Sequence, residues 1–98
     1  MATLPIEHQI SDIDTWLQAF NTFAPARKQA GVSETHVWQP DGDPHYVIIH
    51  LRFPTVSAAT DFWTFLRERV WSTPEASPAL VGAPKALVLN EVGLDSET

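Results

Sequence analysis

The spacing of the apolar residues changes along the chain from the two-residue period of a strand to the longer period of a helix. Apolar side chains occupy every second position from Leu4 to Ile10, with His8 in the same series, as in a strand that buries one face. From Ile13 to Ala24 they recur three and four positions apart, which predicts an amphipathic helix. The chain therefore begins with a strand followed by a helix.

The first helix carries signals for its start, a break and its end. Ser11 or Asp12 can accept hydrogen bonds from the free amides of the first turn. Pro25 lacks an amide hydrogen and clashes with the carbonyl four residues before it, so we expect the helix to kink or restart there. Gly31 then ends the second piece, which carries Arg27.

A hairpin and a second helix follow. Residues 32–39 and 45–53 are rich in β-branched and aromatic side chains, and the connection 40–44 contains two prolines and a glycine. These segments predict two antiparallel strands joined by a turn. A second amphipathic helix, capped by Thr55 or Ser57, comes next.

The C-terminal part of the chain is irregular before one more strand. Residues 72–84 contain three prolines and one glycine, which predicts a long connection. Residues 85–92 predict a final strand, and residues 93–98 predict a flexible tail. We therefore expect one folded domain over residues 1–92.

These elements predict an α+β fold of the order β-α-β-β-α-β, with a four-stranded antiparallel sheet and two helices on one face. Such a sheet has a second face without a cover, which we expect to be apolar. A second copy of the chain is the simplest cover, so a homodimer is predicted. Phe65 falls opposite the apolar stripe of the second helix, and we expect it to be exposed on a partner surface.

The composition excludes several classes of function. The chain has 98 residues, a formal net charge of −6 and no cysteine. Its six basic residues form no long run, which argues against a nucleic-acid partner. Without cysteine there are no disulfides, thiolate metal sites or cysteine nucleophiles. A basic leader and an apolar run of about 20 residues are both missing, so we expect a cytoplasmic protein with no membrane partner.

Segments between residues 4 and 92 carry a family resemblance. They are Ile6-Glu7-His8-Gln9-Ile10, Asp14-Thr15-Trp16-Leu17-Gln18-Ala19-Phe20, Ala26-Arg27-Lys28-Gln29-Ala30-Gly31-Val32, Asp41-Gly42-Asp43-Pro44, and Phe53 followed by Ala58, Ala59 and Phe62. In these segments the chain resembles the dimeric α+β barrel superfamily, in which antibiotic-biosynthesis-monooxygenase-like and related small proteins pair two ferredoxin-like sheets. The resemblance implies a ferredoxin-like fold and a homodimer.

The same resemblance implies several activities. Members of the superfamily include cofactor-independent oxygenases, haem-degrading enzymes, polyketide cyclases and proteins with no known role. Haem degradation would require a histidine on a helix as axial ligand, and neither predicted helix contains one. We therefore expect no cofactor.

Histidines are the candidate acid–base residues, because histidine titrates near neutral pH. His36 and His50 belong to the two hairpin strands. If even-numbered residues pair with even-numbered ones, the two histidines lie opposite each other and share a face with Trp38. We predict His36 or His50 as a general base, the alternative being that they donate to backbone groups or face solvent. The short ligand spacing of known zinc motifs does not occur, so no metal site is expected.

Aromatic residues on the inner stripes of both helices predict a pocket above the sheet. Trp16 and Phe20 come from the first helix, and Phe62 and Trp63 come from the second. Walls of this kind suit a flat aromatic ligand. In so small a domain, plain core packing is the more ordinary interpretation, since each buried side chain contributes roughly 1.5 to 3 kcal/mol.

Arg27 is a further candidate for ligand binding. It continues the apolar stripe of the first helix and brings a fixed positive charge toward the rim of the pocket. There it can hold an anionic or enolate oxygen, or it can pair with Glu7 or Glu34.

Two functions are consistent with these residues. The first is a cofactor-independent monooxygenase- or cyclase-like enzyme that acts on a small aromatic ligand, with His36 or His50 as the base. The second is a non-catalytic homodimeric ligand-binding or stress-associated module, whose aromatic residues fill the core and the interface.

Overall fold

A computed structural model of the protein describes residues 1–93, so the predicted tail over 93–98 lies outside the described residues except for Gly93. Over this range the chain forms five strands and three helices, and a π-helical turn continues the third helix. In chain order the elements are β1 (Ala2–Ile10), α1 (Ile13–Thr22), α2 (Ala24–Gln29), β2 (Glu34–Trp38), β3 (Tyr46–Phe53), α3 (Val56–Phe65), the π-turn (Leu66–Val70), β4 (Leu80–Ala86) and β5 (Leu89–Asn90).

β1 lies at the centre of an antiparallel sheet. The strand order is β2-β3-β1-β4, and the short β5 pairs with the first residues of β1. β1 pairs with β3 along its length, from Ala2 opposite Phe53 to Gln9 opposite Tyr46. The α+β fold with its helices on one face is confirmed, while the last predicted strand is divided into β4 and β5.

Alternating burial along the central strands distinguishes the two faces of the sheet. The even-numbered residues of β1 and the odd-numbered residues of β3 are buried under the helices, and we call this side the helix face. The other side, the open face, carries the odd-numbered residues of β1 and the even-numbered residues of β2 and β3. Because Ile6 lies opposite Ile49, the register brings both buried sets to the same side.

The core is built on the helix face. Its largest fully buried side chains come from β1 and β3, and α3 packs on them through Phe62, whose ring centroid lies 5.7 Å from that of Phe53. Removal of each such side chain from water contributes roughly 1.5 to 3 kcal/mol. The fully buried members are Phe53, Leu4, Ile10, Leu51 and Val47.

Both long helices begin at side-chain caps. The carboxylate of Asp12 accepts a hydrogen bond from the backbone N–H of Thr15 at 2.8 Å, so the predicted cap is confirmed. The hydroxyl of Thr55 accepts one from the N–H of Ala58 at 3.1 Å and caps α3 in the same way. None of the described helices is both long and apolar enough to cross a bilayer.

The predicted break in the first helix is confirmed. α1 ends at Thr22, and α2 restarts at Ala24 with Pro25 in its first turn, where the missing amide hydrogen costs no hydrogen bond. Gly31 follows the end of α2 with a φ of +87°, a backbone conformation that favours glycine.

β4 begins earlier than the sequence predicts. The expected strand over 85–92 starts instead at Leu80, and its pairing with β1 shifts register between Glu7 and Gln9. Gly82 has a φ of +73° within this irregular pairing. An edge strand with a bulge accommodates glycine and proline that would interrupt a central strand, so the prediction of a loop up to residue 84 is wrong at its end.

The environment of Phe65 also differs from the expectation. Its side chain is half-buried rather than exposed on a partner surface. The ring packs edge-on against Phe23 at a centroid distance of 6.2 Å and lies 5.6 Å from Phe62. The break between α1 and α2 is the reason, since Phe23 lies in that break and contacts α3.

Candidate functional site

A cavity of about 70 Å³ lies between the helix face and the elements that cover it. Buried residues of β1 and β3 form its deep wall, and half-buried residues of α1, α2 and the segment after the π-turn form its rim. The deep wall includes Ile6, His8, Ile49 and Leu51, and the rim includes Phe20, Phe23, Arg27 and Trp71. A rim of half-buried side chains gives this apolar space an opening to solvent.

His8 is the one buried polar residue of the described core and lies in the cavity wall. Its side chain is 5% exposed, because it occupies a helix-face position on β1 between Ile6 and Ile10. The Nδ1 atom lies 3.0 Å from the carbonyl oxygen of Gln9. A carbonyl only accepts, so Nδ1 carries the proton and donates it, which leaves a lone pair on Nε2.

The protonation state of His8 follows from this burial. Desolvation by the apolar wall lowers the pKa of His8, and the hydrogen bond to Gln9 opposes that effect. At neutral pH the ring is therefore uncharged. Within residues 1–93 no donor contacts its Nε2, so this atom is available to accept a proton.

A series of aromatic contacts connects His8 to the rim. The rings of His8 and Trp16 are tilted, with their centroids 6.2 Å apart. Trp16 stacks on Phe20 at 4.7 Å with an interplanar angle of 19°, since the two residues are one helical turn apart on α1. The guanidinium carbon of Arg27 lies 3.8 Å from the centroid of the Phe20 ring. We refer to His8, Trp16, Phe20 and Arg27 as the aromatic wall.

Arg27 closes the aromatic wall at the rim. Its Nη1 donates to the carbonyl oxygen of Phe20 at 2.7 Å, near the end of α1. Partial burial lowers the pKa of Arg27, but an arginine starts so far above neutral that it stays charged. The alternative pairing with Glu7 or Glu34 is not formed, and no carboxylate among residues 1–93 forms an ion pair with this guanidinium.

The π-turn shapes the opposite part of the cavity. Its wide turn is closed by the N–H of Trp71, which donates to the carbonyl of Leu66 at 2.7 Å, five residues back. Leu66 and Val70 are buried in the wall, and Trp71 lies half-buried at the rim. Turns of this type are rare and are frequent at functional sites.

The histidine pair predicted on the hairpin is formed, but on the open face. His36 lies directly opposite His50 in the register of β2 and β3. Trp38 stacks on His36 at 5.5 Å and contacts His50 edge-on at 4.8 Å. The carboxylate of Glu34 lies 3.3 Å from Nε2 of His36 and 3.8 Å from Nε of Arg52. This arrangement is an exposed cluster of aromatic and charged groups.

The sheet separates these two groups of predicted site residues. Trp16, Phe20, Arg27 and Phe62 line the cavity. His36, Trp38 and His50 lie on the open face, and Trp63 lies outside the cavity with Arg67 above its ring at 4.7 Å. A single pocket formed by the hairpin histidines and both helix tryptophans is therefore not present in one protomer, because even-numbered residues of β2 and β3 lie on the face away from the helices.

Sequence reasoning included His8 among the candidate histidines but selected His36 or His50 as the base, and it missed Trp71 as a site residue. The signal for His8 was available, because a histidine in the buried series of β1 must be accommodated beneath the helices. Trp71 carried no such signal, since its position depends on the π-turn. Within residues 1–93, no three histidine or acidic side chains are grouped in a way that could hold a metal ion.

The open face differs from the apolar surface that the sequence predicts. Tyr46 donates its hydroxyl hydrogen to Glu7 at 2.7 Å, an interaction that raises the pKa of Tyr46. Arg52 donates to Glu91 at 3.0 Å. Apolar side chains lie between these polar contacts, with Trp38 47% exposed. The face is thus mixed in character.

Comparison with known proteins identifies the fold. No family model and no curated protein matches the sequence. Among solved structures, an antibiotic biosynthesis monooxygenase is 12% identical, with a TM-score of 0.67 over 95% of this chain and 100% of its own. A dimeric ferredoxin-like protein from an uncultured marine organism is 8% identical, with a TM-score of 0.68 over 97% of this chain and 98% of its own.

A NIPSNAP domain protein from Burkholderia xenovorans is also similar, at 15% identity and a TM-score of 0.64 over 97% of this chain and 98% of its own. At such identities the likeness shows the fold and not the activity. The ferredoxin-like fold implied by the resemblance is confirmed.

Proposed function

We propose that the protein is a homodimeric enzyme of the cofactor-independent monooxygenase or cyclase type, which acts on a small flat aromatic molecule in the cavity beside His8. The observation that carries this proposal is a neutral histidine in a mostly apolar, aromatic-lined cavity that has the charged Arg27 at its rim. A general base needs a free lone pair within reach of the ligand, and Nε2 of His8 supplies one.

The residues of the aromatic wall have distinct tasks in this reaction. Trp16 and Phe20 present their rings to a flat ligand, which a stack of this kind orients. Nε2 of His8 removes a proton from the ligand and leaves an electron-rich carbon. In an oxygenation this carbon adds to dioxygen as co-substrate, and the peroxide takes the proton back from His8. Loss of water, with the second hydrogen of the same carbon, then leaves a ketone. In a ring closure the carbon attacks a carbonyl of the same ligand, whose oxygen takes the proton from His8.

The homodimer is proposed to form through the open face. It exposes Trp38, Val81 and Leu89, each more than 40% accessible, among charged side chains. A second copy packed face to face would remove these apolar groups from water. Two of the similar structures are described as dimeric ferredoxin-like proteins, which supports a homodimer.

The catalytic role predicted for His36 and His50 stays a prediction. On the open face these residues would act only on a ligand bound between the two sheets of a dimer. His8 is the stronger candidate for the base, because it is in the cavity and contacts Trp16.

A non-catalytic binding module is the second candidate, and the size of the cavity favours it. The cavity is about half the volume of the cavity of about 150 Å³ that admits benzene in an engineered protein. A ligand with one aromatic ring therefore exceeds the enclosed space and would extend through the rim toward solvent, which leaves no room inside for a second reactant.

Deuterium exchange distinguishes the two candidates. The probe is 2-tetralone, a benzene ring fused to a ring that carries a ketone, and exchange of its acidic C1 hydrogens is followed by proton NMR in heavy water. We expect the protein to accelerate exchange at C1 and His8→Phe to lower that acceleration by about 100-fold or more. His45→Phe, a change in the exposed hairpin loop, is the matched control.

Three outcomes are informative. Equal exchange with wild type and His8→Phe would refute His8 as the base. Quenching of tryptophan fluorescence by 2-tetralone without accelerated exchange would identify a binding module. If neither quenching nor a shift in melting temperature occurs with any flat aromatic probe, the cavity is not a ligand site and the proposal is wrong.

A further inference from the structure

A second and larger space lies between the helices α2 and α3. It is an open groove of about 420 Å³, compared with about 70 Å³ for the cavity beside His8. Among the described residues the two spaces share one lining residue, the buried Phe62. The groove is therefore a separate feature, and the proposed function makes no use of it.

Small side chains on the two helices leave this groove open. Residues three and four positions apart share one side of a helix, and the lining residues of both helices follow that spacing. Three of them are alanines, whose side chains end at Cβ and do not fill the distance between the helices. The lining consists of Ala26, Gln29 and Ala30 on the side of α2, and Ala58, Asp61, Phe62 and Phe65 on α3.

The groove carries one negative charge. Asp61 is exposed and is the only ionisable residue of its lining, as far as the chain is described. The cations of α2, Arg27 and Lys28, are not part of the lining, and no ion pair of Asp61 forms within residues 1–93. A carboxylate at an apolar surface attracts a cation and repels an anion.

Two neighbours of Asp61 also suit a cation. Phe65 lies one helical turn after Asp61 on α3, and an aromatic ring attracts a cation to its face. Gln29 lies on the opposite side of the groove, and its side-chain carbonyl accepts a hydrogen bond. A primary ammonium group has three N–H donors, so it can donate to Asp61 and to Gln29 together.

We infer that the groove between α2 and α3 binds an amphiphilic organic amine, with a compact apolar body against the alanines and its ammonium group at Asp61. Small-molecule sites have volumes of roughly 300 to 1,000 Å³ and are mostly apolar with a few polar groups, as this groove is. A primary amine is charged at neutral pH, since the pKa of such a group is about 10.4. The open face lies on the other side of the sheet, so the groove stays accessible in the proposed homodimer.

Other ligand classes fit less well. A carboxylate or a phosphate is repelled by Asp61, and the lining offers no cation to offset that repulsion. A neutral molecule of the same shape gains the apolar contacts alone. The charge of the ligand is therefore the property to vary in a test.

The test uses three probes that share a cyclohexane ring and differ in charge: cyclohexylmethylamine, cyclohexylmethanol and cyclohexanecarboxylate. Binding is followed by NMR from the shifts of the backbone amides of α2 and α3 in the full-length protein. We expect the amine to bind about fivefold more tightly than the alcohol, as for an exposed ion pair, and the carboxylate to bind most weakly. Added salt should weaken binding of the amine and leave that of the alcohol unchanged.

Variants with matched controls separate charge from shape. Asp61→Asn is expected to lower the affinity for the amine to that for the alcohol, and Asp61→Glu to retain most of it. Asp14→Asn makes the same change at an exposed position outside the groove and should have no effect.

Ala30→Leu places a larger side chain in the groove and is expected to weaken binding of the amine and of the alcohol alike. Ala24→Leu, at an exposed position of α2 outside the lining, is its control. Melting curves verify that Ala30→Leu and Asp61→Asn fold.

Two results would overturn the inference. If the amine and the alcohol bind equally, or if Asp61→Asn behaves like Asp14→Asn, the charge of Asp61 does not select the ligand. If none of the three probes shifts the amides of α2 and α3, the groove is not a ligand site. Neither result bears on His8, whose exchange assay tests the proposed function separately.

Discussion

A fall in pH from about 7.5 to about 5.5 is expected to destabilise the fold through His8, since this is the range in which histidine titrates. The neutral ring donates from Nδ1 to Gln9 and needs no partner at Nε2. Protonation would place a charge on His8, which is 5% exposed and lies in an apolar wall beside the ring of Trp16. The described part of the chain offers no acceptor for the second N–H.

The size of this destabilisation follows from the difference between the number of protons bound by the unfolded chain and by the folded chain. Burial lowers the pKa of His8 in the folded state from its ordinary 6.5, so below pH 6.5 the unfolded chain binds a proton that the native chain does not. The stabilising contribution is complete above pH 6.5 and decreases as the pH falls toward the lowered pKa. Between the two pKa values the free energy of unfolding decreases by up to about 1.4 kcal/mol per pH unit.

Urea unfolding at a fixed protein concentration measures this slope. His8→Phe keeps a ring in the wall but cannot titrate, so the difference between wild type and variant isolates His8. His36, His45 and His50 are common to both proteins and cancel in that difference. The lowered pKa of Asp12, caused by its hydrogen bonds to Thr15, acts below its ordinary value of 3.8 and outside this range. Equal slopes for wild type and His8→Phe would refute the reasoning.

Three further predictions concern the dimer, the core and a helix cap. Trp38→Glu is expected to yield a monomer by light scattering, because it places a charge in the proposed interface, while Leu17→Glu on α1 stays dimeric; a dimeric Trp38→Glu would argue against the open face as the interface. Leu51→Ala should lower the free energy of unfolding in urea by about 2 to 5 kcal/mol, since Leu51 is fully buried, and the exposed Leu17→Ala by less than about 0.5 kcal/mol. Thr55→Ala removes the acceptor for the N–H of Ala58 and should cost about 1 kcal/mol in the same assay, with no loss contradicting its role as a cap.

Much of the fold could be predicted because local signals and tertiary structure agree. The alternation from Leu4 to Ile10 identifies the buried face of β1, and Pro25 determines where the first helix restarts. In both cases a few neighbouring residues determine the outcome. The sequence left the register of the hairpin open, and the structure shows the alternative in which His36 lies opposite His50.

The site was less predictable because it depends on which side of the sheet each strand presents. His36 and His50 share a face with each other but not with Trp16, and that relation is determined by the register of β1 with β3. The start of β4 was missed for a related reason. Leu80 pairs with Ile10, and the register then shifts between Val81, opposite Gln9, and Lys85, opposite Glu7, a long-range feature that local turn signals do not report.

The direction of the Trp71 side chain depends on how the turn at the end of α3 is wound, and not only on which residues the turn contains. Each residue of an α-helix advances the chain by about 100°, and a π-turn holds one residue more than an α-turn. If the same residues between Leu66 and Trp71 formed regular α-helix, Trp71 would be rotated by about 100°, away from the rim. Substitutions in this turn that favour regular helix would therefore change what the cavity accepts while every residue that lines it is retained, a route to new specificity that comparison of the lining residues would overlook.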